Sequence, residues 1–203
     1  MFSCMPSMTS REVSGVSGED DMTRPRSNRT LSGIALAAAL AAAGSGASAQ
    51  APIAINTARI SIAGTSNVHD YTATTTSARV TRVKVAAQAV GQTFWEEIQK
   101  PGALEAFDLT IAAGTLKSSK EGLDKNMYRA LKVAAHPDIV FRLARMEGAP
   151  GALTAVGTLS IAGVDREVTL PLKTVQQGST LAVSGETDVL MTDFGIQPPR
   201  AML

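Results

Sequence analysis

The residues best suited to acid–base chemistry are two neighbours, His69 and Asp70. A histidine oriented by a carboxylate is a common general base in hydrolases. Adjacent residues of a strand, however, point to opposite faces of the sheet, so this pair would need a turn to meet. We therefore expect a polar contact at the rim of the fold, and a secreted hydrolase that uses His69 and Asp70 is the alternative.

Other patterns for chemistry are weak. The second of the two histidines begins the tripeptide His136-Pro137-Asp138, which also occurs in chaperone J-domains, but there it lies between two long helices and here a strand-like run follows. After residue 49 the sequence has no H-E-x-x-H, G-x-S-x-G, Walker or dinucleotide-binding glycine pattern. We expect no enzyme, no catalytic residue, no metal site and no cofactor other than a bound lipid.

The composition argues against nucleic acid as a partner. The 203 residues include 19 basic and 18 acidic side chains, which leaves a formal net charge of +1. Nucleic-acid-binding domains usually carry a basic surplus or stripe, and single strands stack on aromatic side chains, which make up only 4% of this chain. The single cysteine, Cys4, lies in a segment that we expect to be removed, so the mature chain would have no disulfide.

The N-terminal part has the pattern of a secretory signal. Three arginines precede an apolar run from Leu31 to Ala43, and small residues follow the run. This order is typical of a signal peptide cleaved after Ala49, and the run is too short and alanine-rich to span a bilayer stably. We predict a signal peptide over 1–49, one domain over 50–203, and a location in the periplasm or outside the cell.

The start of translation is a separate hypothesis. Acidic residues occur within 1–21 and disfavour this stretch as the leading region of a signal peptide, whereas a start at Met22 gives a conventional signal. We expect the chain to begin at Met22. N-terminal sequencing of an uncleaved precursor checks this, and a chain that begins at Met1 contradicts it.

The rest of the sequence has the pattern of a β protein. Runs with alternating apolar residues recur about every ten residues, with turn-forming residues between them. The clearest hairpin joins Leu153–Ile161 to Val168–Leu172 through Gly163–Arg166. Phe94–Ala103 has no clear period, so we interpret it as a loop. The pattern predicts an antiparallel sandwich or barrel.

One amphipathic helix is predicted in the middle of the chain. Leu123, Met127 and Leu131 recur every four residues and form an apolar stripe, and Ser118 or Ser119 can cap the first turn. Such a stripe is more often core than ligand lining. A lone helix in a β protein suggests a segment that covers one end of the sheet. The opposite face carries Lys120, Glu121, Asp124, Lys125, Arg129 and Lys132.

Five short motifs follow one another in the chain: Gly64–Asp70, Leu116–Tyr128, His136–Phe141, Gly157–Val164 and Met191–Ile196. Their order and spacing resemble the YceI-like family of periplasmic and secreted polyisoprenoid-binding proteins, over roughly Ile53 to Leu203. The resemblance implies a mainly β fold, an eight-stranded antiparallel lipocalin-like β-barrel with one short helix. It also implies an apolar tunnel for an isoprenoid chain such as a quinone tail or a polyprenyl phosphate. A barrel of eight strands is just wide enough for one slender ligand.

We expect this ligand to lie on the inward faces of the strands and helix. The leading hypothesis is therefore a non-enzymatic carrier of an amphiphilic isoprenoid lipid, and a structural or stress-protective envelope protein with a filled interior is a further alternative. The head-group candidates are Lys120, Lys125 and Arg129, although a basic run is most often a solvated face. The expected tunnel contacts are Phe107, Leu109, Ile111, Leu123, Met127, Phe141, Leu143, Leu159 and Leu170.

The C-terminus departs from the family pattern. Family members continue past the Pro198-Pro199 turn into a strand that closes the barrel, whereas this sequence ends at Leu203. An open sheet exposes unpaired backbone groups. We predict either a truncated reading of a longer frame or closure through a homodimer. A stable monomer of the processed chain in size-exclusion chromatography would contradict the homodimer.

Overall fold

The computed structural model describes residues 31–41, 53–64, 71–86 and 94–197. These ranges contain nine strands, two α-helices and two 3₁₀ helices, Ala113–Thr115 and Met191–Phe194. The helices are α1 (Phe94–Ile98) and α2 (Glu121–Ala130). The strands are β1 (Leu31–Ala41), β2 (Ala54–Gly64), β3 (Tyr71–Thr75), β4 (Ala78–Val85), β5 (Leu104–Ala112), β6 (Asp138–Ala149), β7 (Ala152–Ile161), β8 (Val164–Gln177) and β9 (Thr180–Val189).

The nine strands form one antiparallel sheet in the order β3-β2-β1-β9-β8-β7-β6-β5-β4. Each strand from β4 to β8 pairs with the next strand along the chain. Strands β2 and β4 also contact each other, and apolar residues of seven strands meet in one core, so the sheet curls around its interior. The predicted mainly β, antiparallel barrel-type fold is confirmed, but the described residues form nine strands where eight were expected, because β1 lies between β2 and β9.

The register of the strands lines up the apolar positions of neighbouring strands. Leu109 of β5 lies opposite Phe141 of β6, and Phe141 lies opposite Leu159 of β7. Residues that are paired in register share one face of the sheet. These three side chains therefore form a row across the inner wall, and all three are buried.

The predicted β7–β8 hairpin is present, but its turn lies earlier than expected. Ala162 and Gly163 occupy the turn with φ angles of 53° and 81°. Two central residues with positive φ are the requirement of a type I′ turn, whose twist matches that of the flanking strands. Strand β8 therefore begins at Val164, inside the predicted Gly163–Arg166 connection.

The predicted loop Phe94–Ala103 is wrong at its start, because it contains α1. The described ranges thus contain two α-helices where one was expected. A helix of five residues has fewer than two turns and cannot show the repeating apolar period by which longer helices are recognised. Trp95 and Ile98 lie one turn apart on this helix, and each is only 3% exposed.

Strand β1 lies within the segment predicted to be a signal peptide. It pairs with β2 on one side and β9 on the other, and Leu36 lies in register between Ile60 and Gly185. In the full chain it thus occupies the place between β2 and β9, and cleavage after Ala49 would remove the strand that pairs with both. The cleavage site and the start lie outside the described residues, so the signal peptide, the start at Met22 and the closure of the processed chain stay predictions.

Candidate functional site

An internal cavity of about 100 Å³ lies between the sheet and α1. Strands β2 and β5–β9 supply its sides, and α1 supplies one end. Sixteen of its eighteen wall residues are apolar, and the other two, Gln99 and Thr174, are uncharged. The wall consists of Ile53, Ile55, Trp95, Ile98, Gln99, Leu104, Phe107, Leu109, Phe141, Leu143, Met146, Leu153, Ala155, Leu170, Leu172, Thr174, Leu181 and Val183.

Helix α1 and the following Gln99 are held over the cavity by hydrogen bonds to the β8–β9 turn and to strand β8. The Trp95 indole N–H donates to the Ser179 carbonyl at 2.8 Å. The Gln99 amide donates to the Trp95 carbonyl at 2.7 Å and accepts from the Thr174 hydroxyl at 2.6 Å. Thr174 in turn accepts from the Gly151 N–H at 2.9 Å. Because the two polar wall residues are bonded in this way, the surface offered to a ligand is apolar.

The other end of the barrel, beside α2, is filled by side chains. Leu116 is fully buried and Phe194 is 2% exposed. They pack in one cluster with Ile111, Ile139 and Ile196. Strand β5 runs from Leu104 at the cavity to Ala112 at this filled end. The cavity and α2 therefore lie at opposite ends of the barrel.

The start of α2 is organised around a buried carboxylate. The Asp124 side chain is 5% exposed and accepts the Ser118 N–H at 2.8 Å and the Ser118 hydroxyl at 2.7 Å. These hydrogen bonds, followed by the Lys117 ammonium at 3.6 Å, lower the pKa of Asp124 below its usual value. Ser118 thus bonds the Asp124 side chain, and no side chain caps the helix at Lys120 in the predicted manner.

Because the Asp124 carboxylate points inward, the buried face of α2 differs from the predicted apolar stripe. Because Asp124 faces the protein, the preceding residue, Leu123, faces outward and is 39% exposed. The prediction that Leu123 faces the interior and Asp124 faces water is therefore wrong. Met127 is half-buried and Leu131 is buried, and both pack against the filled end.

Five of the nine predicted tunnel residues line the cavity: Phe107, Leu109, Phe141, Leu143 and Leu170. Ile111 and Leu159 are buried in the filled part of the core instead, and Met127 packs against that part. The contact of the nine residues with a ligand stays a prediction.

The head-group candidates are not near the cavity. Lys120, Lys125 and Arg129 are exposed on or next to α2, at the opposite end of the barrel. Lys125 pairs with Glu121 at 3.4 Å, and Arg129 donates to the Asn126 side chain at 3.2 Å. A role of these three residues in binding a lipid head group stays a prediction, and the sequence alone does not tell which end of the barrel is hollow.

Sequence reasoning missed the residues of α1 that cover the cavity. Trp95 and Ile98 are buried, and both line it. The available signal was their spacing of three residues, which places two apolar side chains on one side of a single helical turn. Gln99 was also missed, since its role depends on Thr174, which is distant in sequence.

The predicted acid–base pair remains untested. His69 and Asp70 lie outside the described residues. His136 is exposed, and its ring lies against the β7–β8 turn, where a Cβ on Gly163 would come within 2.5 Å of the ring atom Cε1.

The chain is similar to a known protein family and to several solved structures. The model of the YceI-like domain matches residues 54–202. The Campylobacter jejuni YCEI protein is similar in structure, with 20% sequence identity, a TM-score of 0.44, and coverage of 65% of this chain and 73% of that chain. A mutant CJ YCEI protein with a monobromobimane guest has the same identity and coverage, with a TM-score of 0.45. Burkholderia cenocepacia BcnA has 12% identity and a TM-score of 0.38, over 76% of this chain and 96% of that chain. No curated protein matches the sequence.

Proposed function

Because the chain belongs to the YceI-like family, we propose that it binds the apolar chain of an isoprenoid or similar long-chain lipid in the cavity beneath α1. The observation that carries this proposal is the apolar wall of that cavity. Each methylene that leaves water for such a wall contributes about 0.8 kcal/mol. A charged head group would lose several kcal/mol there, so it stays outside.

The volume of the cavity limits how much of the lipid it holds in this conformation. About 100 Å³ is less than the roughly 150 Å³ of an engineered apolar cavity that binds benzene, and less than the roughly 300–1,000 Å³ of most ligand pockets. A long chain therefore needs a larger cavity. We propose that it gains this space by displacing α1 and flexible wall residues such as Met146.

The proposed role is that of a non-enzymatic carrier or scavenger in the periplasm or outside the cell. The predicted signal peptide supports this location. Among the described residues, the structure has no helix that is long and apolar enough to span a bilayer. The lipid would be loaded beneath α1, with its head group at the surface.

Lipid extraction tests the proposal. We expect solvent extraction and mass spectrometry to recover a long-chain lipid from the purified wild-type protein. Ala155→Leu places a larger side chain in the cavity wall and should abolish this recovery, since Ala155 is 3% exposed and lines the cavity. Ala152→Leu is the matched control, because Ala152 lies on the same strand but is exposed. Recovery of no lipid from the wild type, or of equal amounts from the wild type and Ala155→Leu, contradicts the proposal.

A further inference from the structure

The cavity ends at one level on several neighbouring strands. On β5, Phe107 and Leu109 line it but Ile111 does not, and on β6, Leu143 lines it but Ile139 does not. On β7 and β8 the same boundary falls between Ala155 and Leu159 and between Leu170 and Val168. The residues beyond the boundary pack in the filled part of the core.

Phe141 lies at this boundary. It lines the cavity and is 8% exposed. It lies in register between Leu109, which lines the cavity, and Leu159, which does not, in the middle of the row that crosses the inner wall. Its ring therefore separates the hollow part of the barrel from the filled part.

A glycine fixes the position of this ring. The ring lies against Gly157 of β7, where a Cβ would come within 2.8 Å of the ring atom Cζ and 2.9 Å of Cε2. The absence of a side chain at Gly157 lets the ring pack directly on the strand backbone. Behind the ring, Leu159 and Ile139 are buried, so the ring has packed neighbours on its far side.

The two ends of the cavity therefore differ in how easily they yield. At one end, α1 is a separate segment of five residues, held by the burial of Trp95 and Ile98 and by hydrogen bonds of Trp95 and the following Gln99. At the other end, Phe141 is carried by a central strand and backed by close-packed side chains, which resist displacement. An entering chain gains space toward α1 rather than past Phe141.

We propose that Phe141, held against Gly157, is the floor of the binding cavity and sets the length of apolar chain that the barrel buries. This inference rests on the proposed lipid-binding function. The chain end meets the Phe141 ring, and any part of the chain beyond the depth between Phe141 and α1 stays outside. Phe141 is thus a residue that determines specificity for chain length.

Affinities for a series of prenyl alcohols test this inference. Geraniol, farnesol and geranylgeraniol differ by one isoprene unit at each step, and the fluorescence of Trp95, the one tryptophan of the chain and a cavity residue, reports their binding. For the wild type, affinity should rise with chain length and then level off once the chain reaches Phe141. Phe141→Leu should move this plateau to a longer alcohol, with about a 4-fold gain for each additional buried methylene.

Ile139→Ala is the matched control, because it removes the same number of carbons from the same strand behind the floor. It should keep the wild-type plateau. Should Phe141→Leu fail to fold, Phe141→Met takes its place with the same expected shift, since a flexible thioether yields to the ligand. Three outcomes overturn the inference while lipid binding stands. They are a folded Phe141 variant with the wild-type plateau, an equal shift of the plateau in Ile139→Ala, and a wild type whose affinity shows no plateau. If none of the alcohols binds the wild type, the proposed function fails and the inference falls with it.

Discussion

The two ends of this barrel use similar side chains for different purposes. At the α2 end, Leu116 and Phe194 fill the interior, and the Tyr128 hydroxyl donates to the Leu116 carbonyl at 2.5 Å. The segment before α2 is also paired with β3, through hydrogen bonds of 2.8 and 2.9 Å between the backbones of Thr74 and Lys117. At the α1 end, leucine and isoleucine side chains surround a cavity.

The difference shows how one fold separates stability from binding. Close packing stabilises a protein because each buried contact contributes dispersion energy and removes apolar surface from water. A cavity forgoes part of that energy and leaves space for a ligand. Core substitutions at the filled end should therefore reduce the free energy of unfolding most. Substitutions at the hollow end should change ligand affinity most.

The largest expected effect is at the filled end. Phe194→Ala should lower the free energy of unfolding by about 3–5 kcal/mol, because it leaves a void among packed side chains. Urea unfolding followed by circular dichroism measures the loss. Phe107→Ala at the hollow end is the counterpart and should lose less, since Phe107 is half-buried beside existing space. An equal loss for the two variants would remove the distinction between the ends.

Enlarging a small residue should affect the ends in different ways. Ala113 is 1% exposed at the filled end, so Ala113→Leu should cost about 1–3 kcal/mol of unfolding free energy through overpacking. Ala155→Leu extends into the cavity and should change stability by less than about 1 kcal/mol, while it removes ligand binding. Thermal unfolding measures the stability, and titration followed by Trp95 fluorescence measures ligand binding. A greater loss of stability for Ala155→Leu than for Ala113→Leu would show that the cavity has no room for the larger side chain.

A gain in stability, smaller than the losses above, is expected from a substitution at the C-terminus of α2. Lys132 has a φ angle of 53°, and the N–H groups of Lys132 and Val133 donate to the carbonyls of Arg129 and Tyr128 at 3.1 and 3.0 Å. This is a Schellman motif, in which glycine is the usual residue. Lys132→Gly should raise the free energy of unfolding by about 1 kcal/mol, because it relieves the left-handed backbone.

The same substitution inside the helix is the control for this prediction. Lys125→Gly should lower the free energy of unfolding by about 1 kcal/mol, because Lys125 is exposed and lies in the helix interior. Two changes of the same sign in urea unfolding would contradict the Schellman interpretation of Lys132.

The smallest expected effect is a pH dependence of the free energy of unfolding that comes from Asp124 at the filled end. The folded-state pKa of Asp124 is lowered, chiefly by the Ser118 hydrogen bonds, so the folded state favours the charged form. The resulting stabilisation is present above the pKa of the unfolded chain, near 4, and is lost as the pH falls through the lower folded-state pKa. Unfolding measured over this range should show a weaker acid dependence for Asp124→Asn. A wild-type acid dependence in that variant would contradict the role of the carboxylate.

The sequence predicts the regular parts of the fold because its long strands alternate cleanly. Strands β5, β6 and β7 lie where the apolar alternation places them, and Phe107, Leu109, Phe141 and Leu143 face the interior as expected. The family resemblance adds the barrel-type architecture, which alternation alone leaves open between a sandwich and a barrel.

The remaining features depend on short elements and on specific contacts that the apolar period does not record. Asp124 turns inward because Ser118 and Lys117 satisfy its carboxylate, which reverses the helix face that periodicity predicts. Helix α1 is too short to show a period, and the tie between Gln99 and Thr174 spans 75 residues. The hollow part of the barrel could not be located either, since inward apolar residues at both ends look alike until the helices are placed.

Contact between a bound lipid chain and Trp95 tests the central claim most directly. A short prenyl alcohol with bromine on the isoprene unit next to its hydroxyl, where the chain passes beneath α1, quenches tryptophan only at short range, and Trp95 is the one tryptophan of the chain, in the wall of the cavity. We predict saturable quenching in the wild type and its loss in Ala155→Leu. Binding that is detected by calorimetry without quenching of Trp95 would place the ligand elsewhere and contradict the account.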